Sequence, residues 1–124
     1  HNTMKILIVD DSRTGRKVLS KTLARFHHET FEASQGLEGL DILAQHKIDL
    51  ILSDWTMCEM DGQEFLNEVR KNPEYNHISF MMVSTESTQE RIDMIINEGA
   101  DAYLTKPYST SQLMEKLREL DVII

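Results

Sequence analysis

The chain has 124 residues, 40% of them hydrophobic and 27% charged, which suits one domain with its own core and is too apolar for a disordered segment. The formal net charge of −8, from 21 acidic against 13 basic residues, disfavours nonspecific binding to nucleic acid or an anionic membrane and favours a bound cation or a basic partner surface. The lone Cys58 excludes an internal disulfide, and no run has the length of a membrane span or the pattern of a secretory leader, so a reducing, cytoplasmic setting is expected.

His1, Asn2 and Thr3 read as a non-native remnant ahead of Met4, which leaves residues 4–124 as the domain. Lys5 to Val9 is a short apolar run of the kind a strand buried on both faces requires. Ser12 can cap a helix reaching about Phe26, with Val18, Leu19, Thr22 and Leu23 as its apolar stripe. Glu29 to Ala33 alternates, as a strand near a sheet edge does. Ser34 is expected to open a second helix with Leu37, Leu40, Ile42 and Leu43 facing inward.

Ile48 to Ser53 is a third strand. Asp61 and Glu64 have capping-box spacing and start a helix to about Lys71, which Asn72-Pro73 stops. Ile78 to Ser84 is a fourth strand. Ser87 and Glu90 predict another capping box, for a helix ending near Gly99. Asp101 to Thr105 is a fifth strand, and Ser109 with Gln112 opens a last helix that turns Leu113, Leu117 and Leu120 inward.

Alternating strands and helices predict an α/β fold: a doubly wound five-stranded parallel sheet with helices on both faces. Ligands of such sheets bind beyond the carboxyl ends of the strands. Asp10 and Asp11 follow the first strand, Asp54 the third, Ser84 ends the fourth, and Lys106-Pro107 follows the fifth. Three carboxylates brought together repel unless a cation or a proton joins them. Hard oxygen ligands in a hydrated cluster suit Mg²⁺, and a carboxylate beside Mg²⁺ and a lysine is equipped for phosphoryl chemistry.

Blander roles compete for each residue. One acid can cap a helix, although two adjacent ones exceed what capping needs. Asp54 and Ser84 can serve as turn residues, and Lys106 as a surface turn. Gly62 and Gly99 read as conformationally permissive positions. Adjacent histidines face apart on a helix, so His27-His28 reads as a helix-end feature rather than a metal pair. Cys58 has no local base or cation to activate it.

Asp10-Asp11-Ser12, Ser53-Asp54-Trp55-Thr56-Met57 with Met60-Asp61-Gly62, Val83-Ser84 and Lys106-Pro107 together resemble the receiver domain of two-component response regulators. Asp54-Trp55 and the chain length are most similar to its CheY-like chemotaxis members. The resemblance implies the flavodoxin-like strand order 2-1-3-4-5 and Asp54 as phosphoacceptor. It implies Mg²⁺ on Asp11, Asp54 and the backbone carbonyl of Thr56, with Asp10 acting through water. Lys106 would pair with the phosphoryl group, Ser84 would donate to it, and Tyr103 would turn inward as Ser84 moves. The bond before Pro107 would be cis. A sensor histidine kinase is the implied phosphodonor. The implied output is a protein docking on the face of the fourth helix, fifth strand and fifth helix, with a flagellar motor switch protein as candidate.

The chain departs from the family pattern at Cys58, where proline is frequent, at Thr85, where Ala or Gly is usual, and at Tyr108, where Phe is frequent. Thr56 and Glu86 occupy positions that tune loss of the phosphoryl group. Three alternatives stand beside this reading. One is a receiver piece of a longer regulator with an output domain. Another is a phosphatase of the haloacid dehalogenase type, which would need an acid where Thr56 stands. The last is a flavin binder, in which Asp10 and Asp11 would repel an unshielded phosphate.

Overall fold

The structure is a computed structural model that describes residues 3–124, so His1 and Asn2 of the expected remnant lie outside the described residues. Five strands, β1 (Lys5–Val9), β2 (Glu29–Ala33), β3 (Leu50–Ser53), β4 (Ser79–Ser84) and β5 (Ala102–Thr105), form one parallel sheet in the order 2-1-3-4-5. They alternate with α1 (Arg13–Ala24), α2 (Gly36–Gln45), α3 (Gly62–Lys71), α4 (Gln89–Asn97) and α5 (Thr110–Glu119). No described helix is long and apolar enough to cross a membrane.

The near-continuous apolar runs of β1 and β3 are explained by burial on both faces. Leu7, Val9, Ile51, Phe80 and Met82 pack toward Leu43, Phe65 and Ile95 of α2, α3 and α4. The alternate residues Ile6, Ile8, Leu50, Leu52 and Met81 pack toward Leu19 and Leu23 of α1 and Leu113 and Leu117 of α5. The order of the strands reverses at β1, which lies between β2 and β3. Val9 is level with Ser53 across the β1–β3 ladder, so Asp10 and Asp54 leave the sheet side by side. Ser84 is level with Thr105, which puts Lys106 just past that edge.

Several local expectations hold. Ser12 caps α1 by accepting from Gly15 N, and the predicted capping boxes form at Asp61–Glu64 and Ser109–Gln112. Gly99 has φ +123°, the conformation that favours glycine past a helix end. Others fail for identifiable reasons. Ser34 does not cap α2: its backbone N and hydroxyl bond Glu38, and Gln35 becomes the cap by accepting from Leu37 N. The Ser87–Glu90 box does not form either. Thr88 precedes α4 without a side-chain cap bond, its hydroxyl donating instead to Glu86. Val18 and Leu37, assigned to inward stripes, are exposed. A short 3₁₀ turn at Pro73–Tyr75 was not foreseen; Asn72 closes it by accepting from Glu74 N.

Acids at the opposite edge of the sheet are structural. Asp49 accepts from Lys5 N and Asp101 from Phe80 N, both at 2.8 Å, supplying partners to the strand starts. His28 does similar work. It is 5% exposed, its Nδ1 accepts from Met4 N at 3.0 Å, and its Nε2 must then donate to the Ile123 carbonyl at 2.6 Å. His28→Ala would strip two backbone groups of their partner and cost about 2 kcal/mol. A lowered urea midpoint at unchanged slope is the expected reading.

Candidate functional site

The ends of β1, β3 and β5 converge on one charged cluster. Carboxylate oxygens of Asp10, Asp11 and Asp54 lie within 4.8 Å of one another, the one such acidic cluster among the described residues. The Lys106 ammonium donates to Asp10 Oδ2 at 3.0 Å and to Asp54 Oδ2 at 3.2 Å. Asp10 is 4% exposed and its Oδ1 accepts from Ser12 N at 2.8 Å, so it is pinned from both sides. Asp54 Oδ1 accepts from Trp55 N at 2.7 Å. Asp11 stands exposed at the rim.

The electrostatics follow from this crowding. Burial raises the Asp54 pKa above the ordinary carboxylate value; Lys106 opposes the shift and the neighbouring Asp10 charge reinforces it. Burial alone would lower the Lys106 pKa, but its hydrogen bond to Asp10 and the charges of Asp54 and Asp10 overcome this and the net shift is upward. An ion pair would ordinarily lower its acid. Here desolvation and a second carboxylate outweigh one lysine, which is the condition of a cluster short of positive charge. Donor type and charge both fit a hard divalent cation, and the residues could hold a metal ion.

The strand-end hydroxyl of Ser84 is buried, at 2% exposure, and accepts from Glu86 N at 3.3 Å. Tyr103 packs inward at 7% exposure, with its hydroxyl donating to the Glu86 carbonyl at 2.6 Å. Its ring meets Trp55 edge to face at 6.4 Å. The Lys106-Pro107 bond is cis. Thr56 is exposed in the loop after β3, beside Trp55, Asp61 and Glu86 around a hollow of about 230 Å³. Glu86 is committed locally: hydrogen bonds from Thr88 hold its pKa down, and Arg91 pairs with it at 3.3 Å. Thr85 lines a cleft with Gly15, Lys106 and Tyr108, so its bulk stands at the rim of the site. Cys58 is exposed and not in a disulfide.

Two arginines escaped the sequence reading. Arg91 stacks over Trp55 at 4.6 Å while pairing with Glu86, joining α4 to the residue after Asp54. Arg16 reaches back from α1 to the Asp10 carbonyl at 2.6 Å. Neither lies in a motif, and only the tertiary fold brings them to the site.

The sequence profile of the response regulator receiver domain matches residues 6–118. A chemotaxis protein CheY homologue of Campylobacter jejuni is 34% identical over 119 residues, 94% of this chain and 92% of that protein. Chemotaxis protein CheY1 of Helicobacter pylori is 35% identical over 118 residues, covering 92% and 94%. The solved structure of the chemotaxis response regulator CheY4 of Vibrio cholerae superposes with a TM-score of 0.89 at 32% identity, covering 95% of this chain and 98% of that one. These similarities favour a chemotaxis-type regulator over the phosphatase and flavin-binding alternatives. With the sheet order and the acidic cluster, they show that this chain belongs to the receiver domain family of the response regulators.

Proposed function

We propose that this receiver domain is a chemotaxis-type switch that accepts a phosphoryl group on Asp54 in a Mg²⁺-dependent reaction. The observation that carries the reading is the bridging of Asp10 and Asp54 by Lys106 within a cluster of three carboxylates. Mg²⁺ would be held by Asp11, Asp54 and the Thr56 carbonyl, with Asp10 acting through water. When bound, it supplies charge neutralisation for the phosphoryl oxygens.

The protein's own residues do the rest. A carboxylate oxygen of Asp54 forms a bond to phosphorus as the bond from phosphorus to the donor's leaving atom breaks, and the leaving group departs with that electron pair. Lys106 moves its ammonium from the carboxylates onto the phosphoryl oxygens, and Ser84 donates to one of them. Moving Ser84 toward the phosphoryl group vacates space beside Tyr103, whose ring already packs inward, and this biases the α4–β5–α5 surface between two arrangements, which is how partner binding changes. The donor is a sensor histidine kinase in the cytoplasm, and the docking partner a flagellar motor switch protein. Family membership supports a signalling role in place of ordinary enzymatic turnover; both formation and loss of the acyl phosphate are assigned to this chain's own site.

The test is Mg²⁺ followed by acetyl phosphate, monitored by Trp55 fluorescence and intact mass. Trp55 is the only tryptophan and is buried against Tyr103 and Arg91, so it reports on both steps. A metal-dependent gain of one phosphoryl group is expected; absence of any adduct would refute the reading. Lys106→Ala should slow incorporation about a hundredfold by removing the fixed cation, while Mg²⁺ still changes Trp55 emission. Equal rates in the variant would remove Lys106 from the chemistry.

A further inference from the structure

We propose that Arg16 is a positioning residue for the metal-binding acids, fixing the direction of Asp11 through the Asp10–Asp11 peptide. The inference rests on the Mg²⁺ reading above. Arg16, in the first turn of α1, is mostly buried, its side chain 16% exposed. Its Nη1 donates to the Asp10 carbonyl at 2.6 Å and its Nε to Glu32 Oε1 at 3.2 Å. Lys17 takes the other oxygen of Glu32 at 2.8 Å. Burial would raise the Glu32 pKa, but Lys17 and Arg16 bring it below the ordinary value, so this anchor stays charged.

The carbonyl that Arg16 holds belongs to the peptide joining the two acids. That unit is planar, so fixing its oxygen fixes the plane from which Asp11 departs. The peptide on the other side is held as well, since Asp10 N donates to the Ala33 carbonyl of β2 at 3.0 Å. Asp10 needs little further help, because Ser12 N and Lys106 grip its carboxylate. Asp11 is exposed, so packing does not aim it, and its direction depends on the backbone. The two-pronged guanidinium, spanning the carbonyl just past β1 and a carboxylate of β2, suits the task in a way an ammonium does not.

Charge and position predict opposite signs. If Arg16 acted only as a nearby positive charge, removing it would make the cluster more negative and tighten Mg²⁺ binding. If it positions Asp11, removing it must weaken binding. Mg²⁺ titrations followed by Trp55 emission should show Arg16→Ala and Arg16→Lys both binding about tenfold more weakly, the usual scale for losing a group that orients a metal ligand. Glu32→Gln retains the Arg16 charge but loosens its anchor and should weaken binding about threefold. Urea unfolding of each variant is measured alongside. A purely structural Arg16 would lower the midpoint while leaving the Mg²⁺ affinity of the folded protein unchanged.

Unchanged or tighter binding in Arg16→Ala, with the wild type titrating normally, overturns the inference alone. Should Arg16→Ala fail to fold, Arg16→Lys and Glu32→Gln decide by the same criterion. A wild type that shows no Mg²⁺ response by fluorescence or calorimetry overturns the metal reading itself, and the inference falls with it.

Discussion

Asp54→Asn is expected to abolish phosphoryl incorporation and, in metal-free buffer at neutral pH, to make the protein more stable. The substitution is nearly isosteric. Its amide oxygen can still accept from Trp55 N, and Lys106 keeps its bond to Asp10. What disappears is the anionic nucleophile, so no acyl phosphate forms and acetyl phosphate leaves both Trp55 emission and mass unchanged. The stability gain follows from the raised Asp54 pKa, whose first cause is burial. An acid with a folded-state pKa above its unfolded value binds its proton more tightly when folded. Stability therefore falls as pH rises from the unfolded pKa through the folded one, and the full cost is present at neutral pH. Asn carries no such cost. The stability gap between variant and wild type should be widest near neutrality and close as acid protonates Asp54. Urea midpoints across a pH series in EDTA measure it, and Mg²⁺ should shrink the gap by binding the native wild type more tightly. Persistent incorporation in Asp54→Asn, or a variant less stable than wild type at neutral pH, would count against the assignment.

Much of this site is local in sequence. Asp10, Asp54 and Lys106 each follow a short apolar run, and in a parallel sheet that rule alone carries residues from three parts of the chain to one edge. Strand β2 and the capped starts of α1, α3 and α5 were legible because caps and alternation are short-range signals. The starts of α2 and α4 were not. Ser34 and Thr88 both found a glutamate side chain within a few residues, and such local bonds compete with capping on nearly equal terms. Exposure of Val18 and Leu37 was illegible for another reason: helical spacing gives a face, whereas the width of the neighbour decides how much of it is covered. Arg16, Arg91 and His28 act over contacts of long sequence separation or through irregular loops, where a single sequence carries no pattern.

Gly62 is where the sequence suggested the wrong reason for the right residue, and Gly62→Ala is expected to destabilise the protein by about 3 kcal/mol. Conformational freedom is not what the position needs, since Gly99 is the one described glycine with positive φ. The requirement is space. A Cβ on Gly62 would lie 2.1 Å from the Asp54 carbonyl oxygen and 2.7 Å from Trp55 Cα, both backbone atoms that no rotamer change can move aside. Gly62 N also donates to the Trp55 carbonyl at 2.7 Å, so the first turn of α3 is pressed onto the strand end that carries Asp54. Inserting a methyl group must either break that bond or shift the Asp54–Trp55 peptide. The first course lowers the urea midpoint. The second also moves the Asp54 carboxylate relative to Lys106 and should slow phosphorylation of whatever remains folded. Gly36 is a useful comparison, because the atoms nearest its added Cβ belong to the Met60 side chain, at 2.6–2.9 Å, rather than to backbone. A Gly62→Ala variant within 1 kcal/mol of wild type, with normal phosphorylation, would mean that α3 slides freely over the β3 terminus. The placement of Asp54 would then rest on Lys106, Trp55 N and the bond from Asp54 N to the Val9 carbonyl at 2.8 Å, without the backbone lock from α3.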